Sequence, residues 1–150
     1  MGKTKQTYKI LLTLAKQYDI FVAIEPFPEE LRSKKIKGIY SYEESDKSPD
    51  EYISGHLICI DSGLGLEEKA YTLAHELGHF QLHEDKLIGD WWKDSALYKK
   101  IEAEANEYAD WLLSYVRRRL NWQPLDMPLF NVYQALYEVD KLTKVAGHAG

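Results

Sequence analysis

Cysteine is almost absent from this 150-residue chain. With Cys59 alone, no internal disulfide can form, and nothing signals an oxidising compartment. A surplus of positive charge is missing too: 19 Lys and Arg face 24 Asp and Glu, for a formal charge of −5. That balance excludes a general nucleic-acid binder, and the local run Arg117-Arg118-Arg119 does not reverse it. No apolar run approaches the roughly 18 residues that a membrane span needs. The Lys-rich start (Lys3, Lys5, Lys9) leads only into Ile10 to Ala15, which Thr13 interrupts and Lys16 ends, too short for a signal peptide. Gln6 fails the myristoylation pattern. Internal repeats, low-complexity tracts and a convincing linker are also lacking. These absences predict a single domain over residues 1–150, cytoplasmic, without membrane contact and without direct nucleic-acid contact.

What is present is a core. Side chains are 45% hydrophobic, and four Trp, eleven Tyr and four Phe are too many for a disordered chain. A chain of this length buries roughly 70% of its unfolded surface. Cys59 sits in the run His56-Leu57-Ile58-Cys59-Ile60 without a basic neighbour and reads as a small buried hydrophobe.

Tyr8, Leu11, Leu12, Ala15 and Tyr18 recur at helical spacing, which predicts a helix from about Thr7 to Tyr18. Ile20 to Ile24 suits a short strand, stopped by Pro26 and Pro28 before a loop or single turn at Glu29 to Arg32. A second strand follows over Lys35 to Tyr42, with Gly38 leaving room for a close neighbour, and a third over His56 to Asp61. Leu66, Ala70, Leu73, Leu77 and Phe80 form the apolar stripe of a helix from about Glu67 to His83. Asp94 or Ser95 can cap a further helix running to about Leu120, with Ile101, Ala105, Tyr108, Leu112 and Tyr115 as its stripe. Pro128 is well placed to begin a last helix over about 128–142, and residues 144–150 read as a mobile tail. The fold class is α+β.

The chemistry lies in Leu73-Ala74-His75-Glu76-Leu77-Gly78-His79, a His-Glu-x-x-His motif inside a predicted helix. Spacing of i and i+4 stacks His75 and His79 on one face, where they can share a metal ion. Glu76 lies about 100° round the helix, where a base for an attacking water belongs. The apolar stripe occupies the opposite face, so packing and chemistry do not compete. A zinc site with an open position needs a third protein ligand. Glu102 and Asn106 are four apart in the next helix and share a face, so Glu102 can bind while Asn106 hydrogen-bonds a ligand imidazole. Glu104, about 160° away from Glu102, is the rival ligand.

His75-Glu76-Leu77-Gly78-His79-Phe80-Gln81-Leu82-His83, followed by Glu102-Ala103-Glu104-Ala105-Asn106-Glu107-Tyr108-Ala109, resembles the ImmA/IrrE family of bacterial and phage metallopeptidases. The stretch Ile58-Cys59-Ile60-Asp61 and the lead-in Tyr71-Thr72-Leu73-Ala74 fit the same pattern, and the match spans about 36–113. The resemblance implies a small zincin-like domain: a short β-sheet, an active-site helix carrying the His-Glu-x-x-His motif and a glutamate-ligand helix. It also implies one Zn2+ per chain held by His75, His79 and Glu102, with Glu76 activating water. Glu102 takes the third place because related zinc peptidases carry the ligand Glu four residues before an Asp or Asn. The implied activity is that of a hydrolase, an endopeptidase that cuts a helix-turn-helix repressor and so derepresses a phage, a mobile element or a stress response. The chain is too short to add such a domain of its own, so the target is expected to be a separate protein. The rival function is a non-cleaving anti-repressor, or a toxin–antitoxin binding module, with a structural zinc.

Other residues carry weaker signals. His83 continues the i+4 row after His75 and His79, and a role outside the ligand set or at the helix end fits it best. His56 and His148 read as structural or exposed. The chemistry requires a donor for the developing oxyanion, and Tyr40, Tyr42, Tyr98 and Tyr108 are all candidates. Trp91-Trp92, between the two motif helices, can line the cleft or meet a partner.

Overall fold

The computed structural model describes residues 2–42, 55–83 and 93–122. The elements run α1 (Gly2–Gln17), β1 (Phe21–Glu25), α2 (Glu29–Ser33), β2 (Gly38–Tyr42), β3 (His56–Asp61), α3 (Leu66–His83) and α4 (Ser95–Trp122). The chain is thus a mixed α+β domain, a small sheet against helices. The expected helix 128–142, the tail 144–150, His148 and Trp91-Trp92 lie outside the described residues.

Helix α1 begins at Gly2, a turn and more before the expected Thr7. It ends where Asp19 takes a left-handed φ of 59°, with Ile20 N–H donating to the Ala15 carbonyl at 2.9 Å and Asp19 N–H to Lys16 at 3.0 Å. This pair of bonds satisfies the last carbonyls and turns the chain into β1. The predicted single turn is α2, closed in the same way by Lys35 at φ 61°.

The sheet order is β1-β3-β2, with β1 parallel and β2 antiparallel to β3. Side chains alternate across a strand, so Ile58 and Ile60, both at 0% exposure, face the helices. Cys59 between them points to the other face and is half-buried, not enclosed as its apolar run suggests. Burial, with the charges of Glu25 and Glu76, pushes its thiol pKa up, so the thiol stays protonated.

The core is one cluster. Ile10, Leu11 and Leu14 of α1 meet Leu73 and Leu77 of α3, Leu112 and Val116 of α4 and the two β3 isoleucines. Its apolar burial holds α3 between the sheet on one side and α4 on the other. Two glycines set how closely these neighbours approach. A Cβ on Gly38 of β2 would lie 2.5 Å from Thr72 Cγ2 and 3.3 Å from Glu76 Cγ. A Cβ on Gly78 of α3 would lie 3.2 Å from Cα and the carbonyl oxygen of Ala105 and from Tyr108 Cβ. The strand and the second helix therefore press directly on the helix that carries the motif. At the far end of β3, Asp61 accepts from Arg32 Nε and Nη2 at 3.0 and 2.9 Å and from the N–H groups of Phe27 and Gly63, which ties α2 and the turn after β3 to the sheet.

Candidate metal centre

Helix α3 forms because Glu67 and Glu68 oppose its dipole at the first turn and its apolar stripe finds the core. Helix α4 begins at a side-chain cap, with Leu97 N–H donating to Asp94 Oδ1 at 3.1 Å, and its stripe locks against α3. The face of α3 left to chemistry is covered: Glu76 and His79 are 5% and 4% exposed, with β2 on one flank and α4 on the other.

Three groups converge there. His75 Nε2 and His79 Nε2 are 3.1 Å apart. The Glu102 oxygens lie 2.9 Å from His75 Nε2 and 3.2 Å from His79 Nε2. Zinc–ligand bonds of about 2.0–2.2 Å in a tetrahedron separate neighbouring donors by roughly 3.3–3.6 Å. The two imidazole nitrogens and the Glu102 carboxylate, which turns one oxygen to each, stand at nearly the spacing of one face of such a tetrahedron, drawn in by a few tenths of an ångström, so the residues present fit a zinc ion. Glu76 reaches the same place from the side, its carboxylate 3.9 Å from His75 Nε2. The ligand atoms of His75, Glu76 and His79 all lie within 4.8 Å of one another, and Glu102 is nearer than Glu76 to His75 Nε2. Glu104, the rival, goes elsewhere: its carboxylate is 3.4 Å from His83 Nε2.

The far nitrogens of the imidazoles are also engaged. His75 Nδ1–H donates to Asn106 Oδ1 at 2.8 Å, the bond expected from the four-residue step between Glu102 and Asn106. Tyr71 Oη donates to the same oxygen at 3.1 Å. His79 Nδ1 is 3.1 Å from Nδ1 of His83, which is fully buried. With its hydrogen on Nδ1, a neutral His75 turns its Nε2 lone pair toward Glu102.

The electrostatics favour positive charge at that point. Burial pushes His75 down, but the hydrogen bond to Glu102 and the charges of Glu76 and Glu102 outweigh it and raise its pKa overall. Glu102 loses water to burial, yet the two imidazoles hold its carboxyl at about 2. Burial raises the Glu76 pKa, and the neighbouring histidines only partly offset it.

The site opens into a cleft of about 380 Å³, walled by residues 34–40 and by Tyr71, Thr72 and Tyr98. A larger hollow of about 550 Å³ adjoins it across Lys37, Tyr71 and Thr72 but contains none of the converging groups. Of the four candidate tyrosines, Tyr108 is buried at 2% exposure beside Trp111, and Tyr42 lies against His56 outside the cleft. Tyr40 lines the cleft but its hydroxyl meets His56 Nδ1 at 2.9 Å. Tyr98 lines it one turn before Glu102, and burial plus the charges of Glu102 and Glu76 raise its hydroxyl pKa. The roles of Tyr71 and Gly78 escaped the sequence reading. Tyr71 stands four residues before His75 on the same face, which is the signal that was available.

A small sheet, a His-Glu-x-x-His helix and a second helix that delivers a carboxylate to both histidines define a zincin-like α+β domain. The chain belongs to the IrrE N-terminal-like family of metallopeptidases, Peptidase_M78, whose family model matches residues 15–115, about two thirds of it. It is also 31% identical, over 102 residues, to the uncharacterized immunity region protein 2 of Bacillus phage phi105. That alignment takes in 63% of this chain and 58% of the phage protein. No solved structure matches the chain significantly. Among the described residues, no helix is long and apolar enough to cross a membrane.

Proposed function

We propose that the protein is a zinc-dependent endopeptidase that cuts a helix-turn-helix repressor in the cytoplasm. The observation that carries the reading is the convergence of His75, His79 and Glu102 within 3.2 Å of one another beside the buried Glu76. His75, His79 and Glu102 hold one zinc per chain. When bound, zinc polarises the scissile carbonyl and makes water acidic enough to attack at neutral pH.

The chain's own groups do the rest. Glu76 takes the proton of the attacking water and delivers it to the leaving amine, and burial brings its carboxyl pKa toward the range that both transfers need. Tyr98 donates its hydroxyl proton in a hydrogen bond to the developing oxyanion. Asn106 and Tyr71 keep the His75 ring turned to the site. Among the described residues β2 has one strand neighbour, β3, so its other edge faces the cleft with main-chain groups for an extended substrate. The likeness to a phage immunity region protein supports a repressor as the target.

The test is incubation of the purified, zinc-loaded protein with the helix-turn-helix repressor encoded nearest its gene. Fragments with new termini at one bond support the reading. A repressor that binds and is recovered intact replaces it with the non-cleaving anti-repressor.

A further inference from the structure

We propose that the cleft wall at Lys34 and Lys35 selects substrates with acidic side chains on one side of the cut bond, an inference that rests on the endopeptidase reading of the site.

The charges of the cleft are unevenly placed. Its two carboxylates, Glu76 and Glu102, stand together beside His75, whereas Lys34, Lys35 and Lys37 line the wall ahead of β2. Lys37 is engaged, its Nζ 3.1 Å from a Glu68 oxygen. Among the described residues, Lys34 and Lys35 pair with no carboxylate, and both are exposed. What the wall offers a substrate is therefore positive charge.

The backbone at Lys35 is the stronger sign. Its φ of 61° is left-handed, and it is held there as α2 closes, with Lys35 N–H donating to the Arg32 carbonyl at 2.9 Å and Ile36 N–H to Leu31 at 3.0 Å. Glycine is the residue such a position favours, because a Cβ is crowded there. Among the described residues the other non-glycine at positive φ is Asp19, and aspartate takes this conformation several times more readily than most residues. Lysine has no such excuse. A lysine standing where glycine would fit better, on the wall of a cleft, is stability given up for a side chain at that spot.

Strand β2 runs past the centre in one direction. Gly38 stands against Thr72 and Glu76, and Tyr40, two residues on, meets the Phe80 ring edge-on with centroids 6.1 Å apart. Lys34 and Lys35 precede Gly38 and so lie to one side of Glu76. A peptide paired with the open edge of β2 advances about 3.3 Å per residue, so the side chains that meet the lysines sit within about four residues of the cut bond, on one side only. A carboxylate there finds an opposite charge, and a lysine or arginine there meets a like one.

The test exposes a peptide digest of a bacterial proteome to the zinc-loaded full chain and sequences the new termini. Wild type is compared with Lys35→Gly and with the double variant Lys34→Glu/Lys35→Glu. Wild-type cuts should be enriched in Asp and Glu on one side of the bond. An exposed ion pair is worth roughly two- to fivefold, so Lys35→Gly should weaken the enrichment by about that factor while melting no earlier than wild type. The double variant should turn the enrichment toward Lys and Arg, and raising the salt should flatten it. Absence of acidic enrichment in the wild type overturns the proposal, as does unchanged enrichment in the double variant. A digest left uncut moves the comparison to the intact helix-turn-helix repressor encoded nearest the gene. Its rate of cutting, or its affinity if it is bound and not cut, should fall in the double variant, and an equal value overturns the proposal. A repressor bound but never cut removes the endopeptidase reading while the wall is still decided by affinity. A repressor neither cut nor bound removes both.

Discussion

Asp61 at the end of β3 and Glu102 on α4 both have their carboxyl groups drawn down to about 2, yet their surroundings differ in kind. Asp61 faces the Arg32 guanidinium first of all, with N–H groups of Gly63 and Phe27 beside it. A guanidinium is always charged and has hydrogens to give, so that cluster is complete in itself. Glu102 must overcome burial, and its partners are imidazoles that donate to it only when Nε2 carries a hydrogen. Their other nitrogens are turned to Asn106 and His83. A neutral His75 ring, with its hydrogen given to Asn106, turns a bare lone pair to the Glu102 carboxylate 2.9 Å away. A depressed carboxylate pKa therefore does not distinguish a closed clamp from a candidate metal centre. The position of the hydrogens does.

The strongest way to break this contrast is to exchange the losses. Glu102→Ala and His79→Ala should weaken zinc by more than the roughly 10–100-fold that an outer partner costs, whereas Asp61→Ala should keep zinc and melt earlier. Elemental analysis with thermal melts reads both, and full zinc occupancy in Glu102→Ala would remove that residue from the ligand set. Next in size is Glu76→Gln. It should keep zinc and fold while slowing repressor cleavage by about 10²–10⁴-fold, measured as fragment release in single turnover. Relief of repression in cells at wild-type level by that variant would rule out cleavage as the mechanism.

Gly78→Ala tests how far the site depends on the approach of the helices. Its Cβ would crowd Ala105 and Tyr108 at 3.2 Å, and overpacking of that kind costs about 1–3 kcal/mol. The melting temperature should fall by several degrees. Zinc binding should weaken as well, because α4 carries Glu102 past that contact. The smallest effect is expected from acid. The folded Asp61 pKa, about 2, lies below the ordinary 3.8, so the Arg32–Asp61 contribution is fully present above about pH 4. It is lost as pH falls from about 4 through about 2. Urea midpoints of wild type and Arg32→Met should thus differ at pH 6 and converge toward pH 2. An equal gap at both pH values would show that the clamp is not electrostatic.

Much of this arrangement was legible in the chain. The apolar stripes of α3 and α4, the strand over His56 to Asp61, the cap at Asp94 and the need for glycine at position 38 are local or nearly local facts. Periodicity and steric freedom write them into neighbouring residues. The pairing of His75 with His79 is of the same kind, since i and i+4 share a helix face whatever the rest of the fold does. Asn106 beside Glu102 could be read as a ligand's helper for that reason too.

What periodicity could not say is which face of α4 meets which nitrogen. Glu102 and Glu104 differ by half a turn, and the choice between them depends on how α4 crosses α3. That crossing is set by the contact of Gly78 with Ala105, residues 27 apart in sequence. The placing of Tyr98 in the cleft, the placing of Glu104 beside His83 and the half-exposure of Cys59 follow from the same packing and from the strand order β1-β3-β2. The sequence by itself determined the chemistry on each helix, because side-chain type and helical phase are local. Tertiary structure alone decided which of those groups meet, because a distance of 3 Å between two helices depends on the close-packed core that holds them.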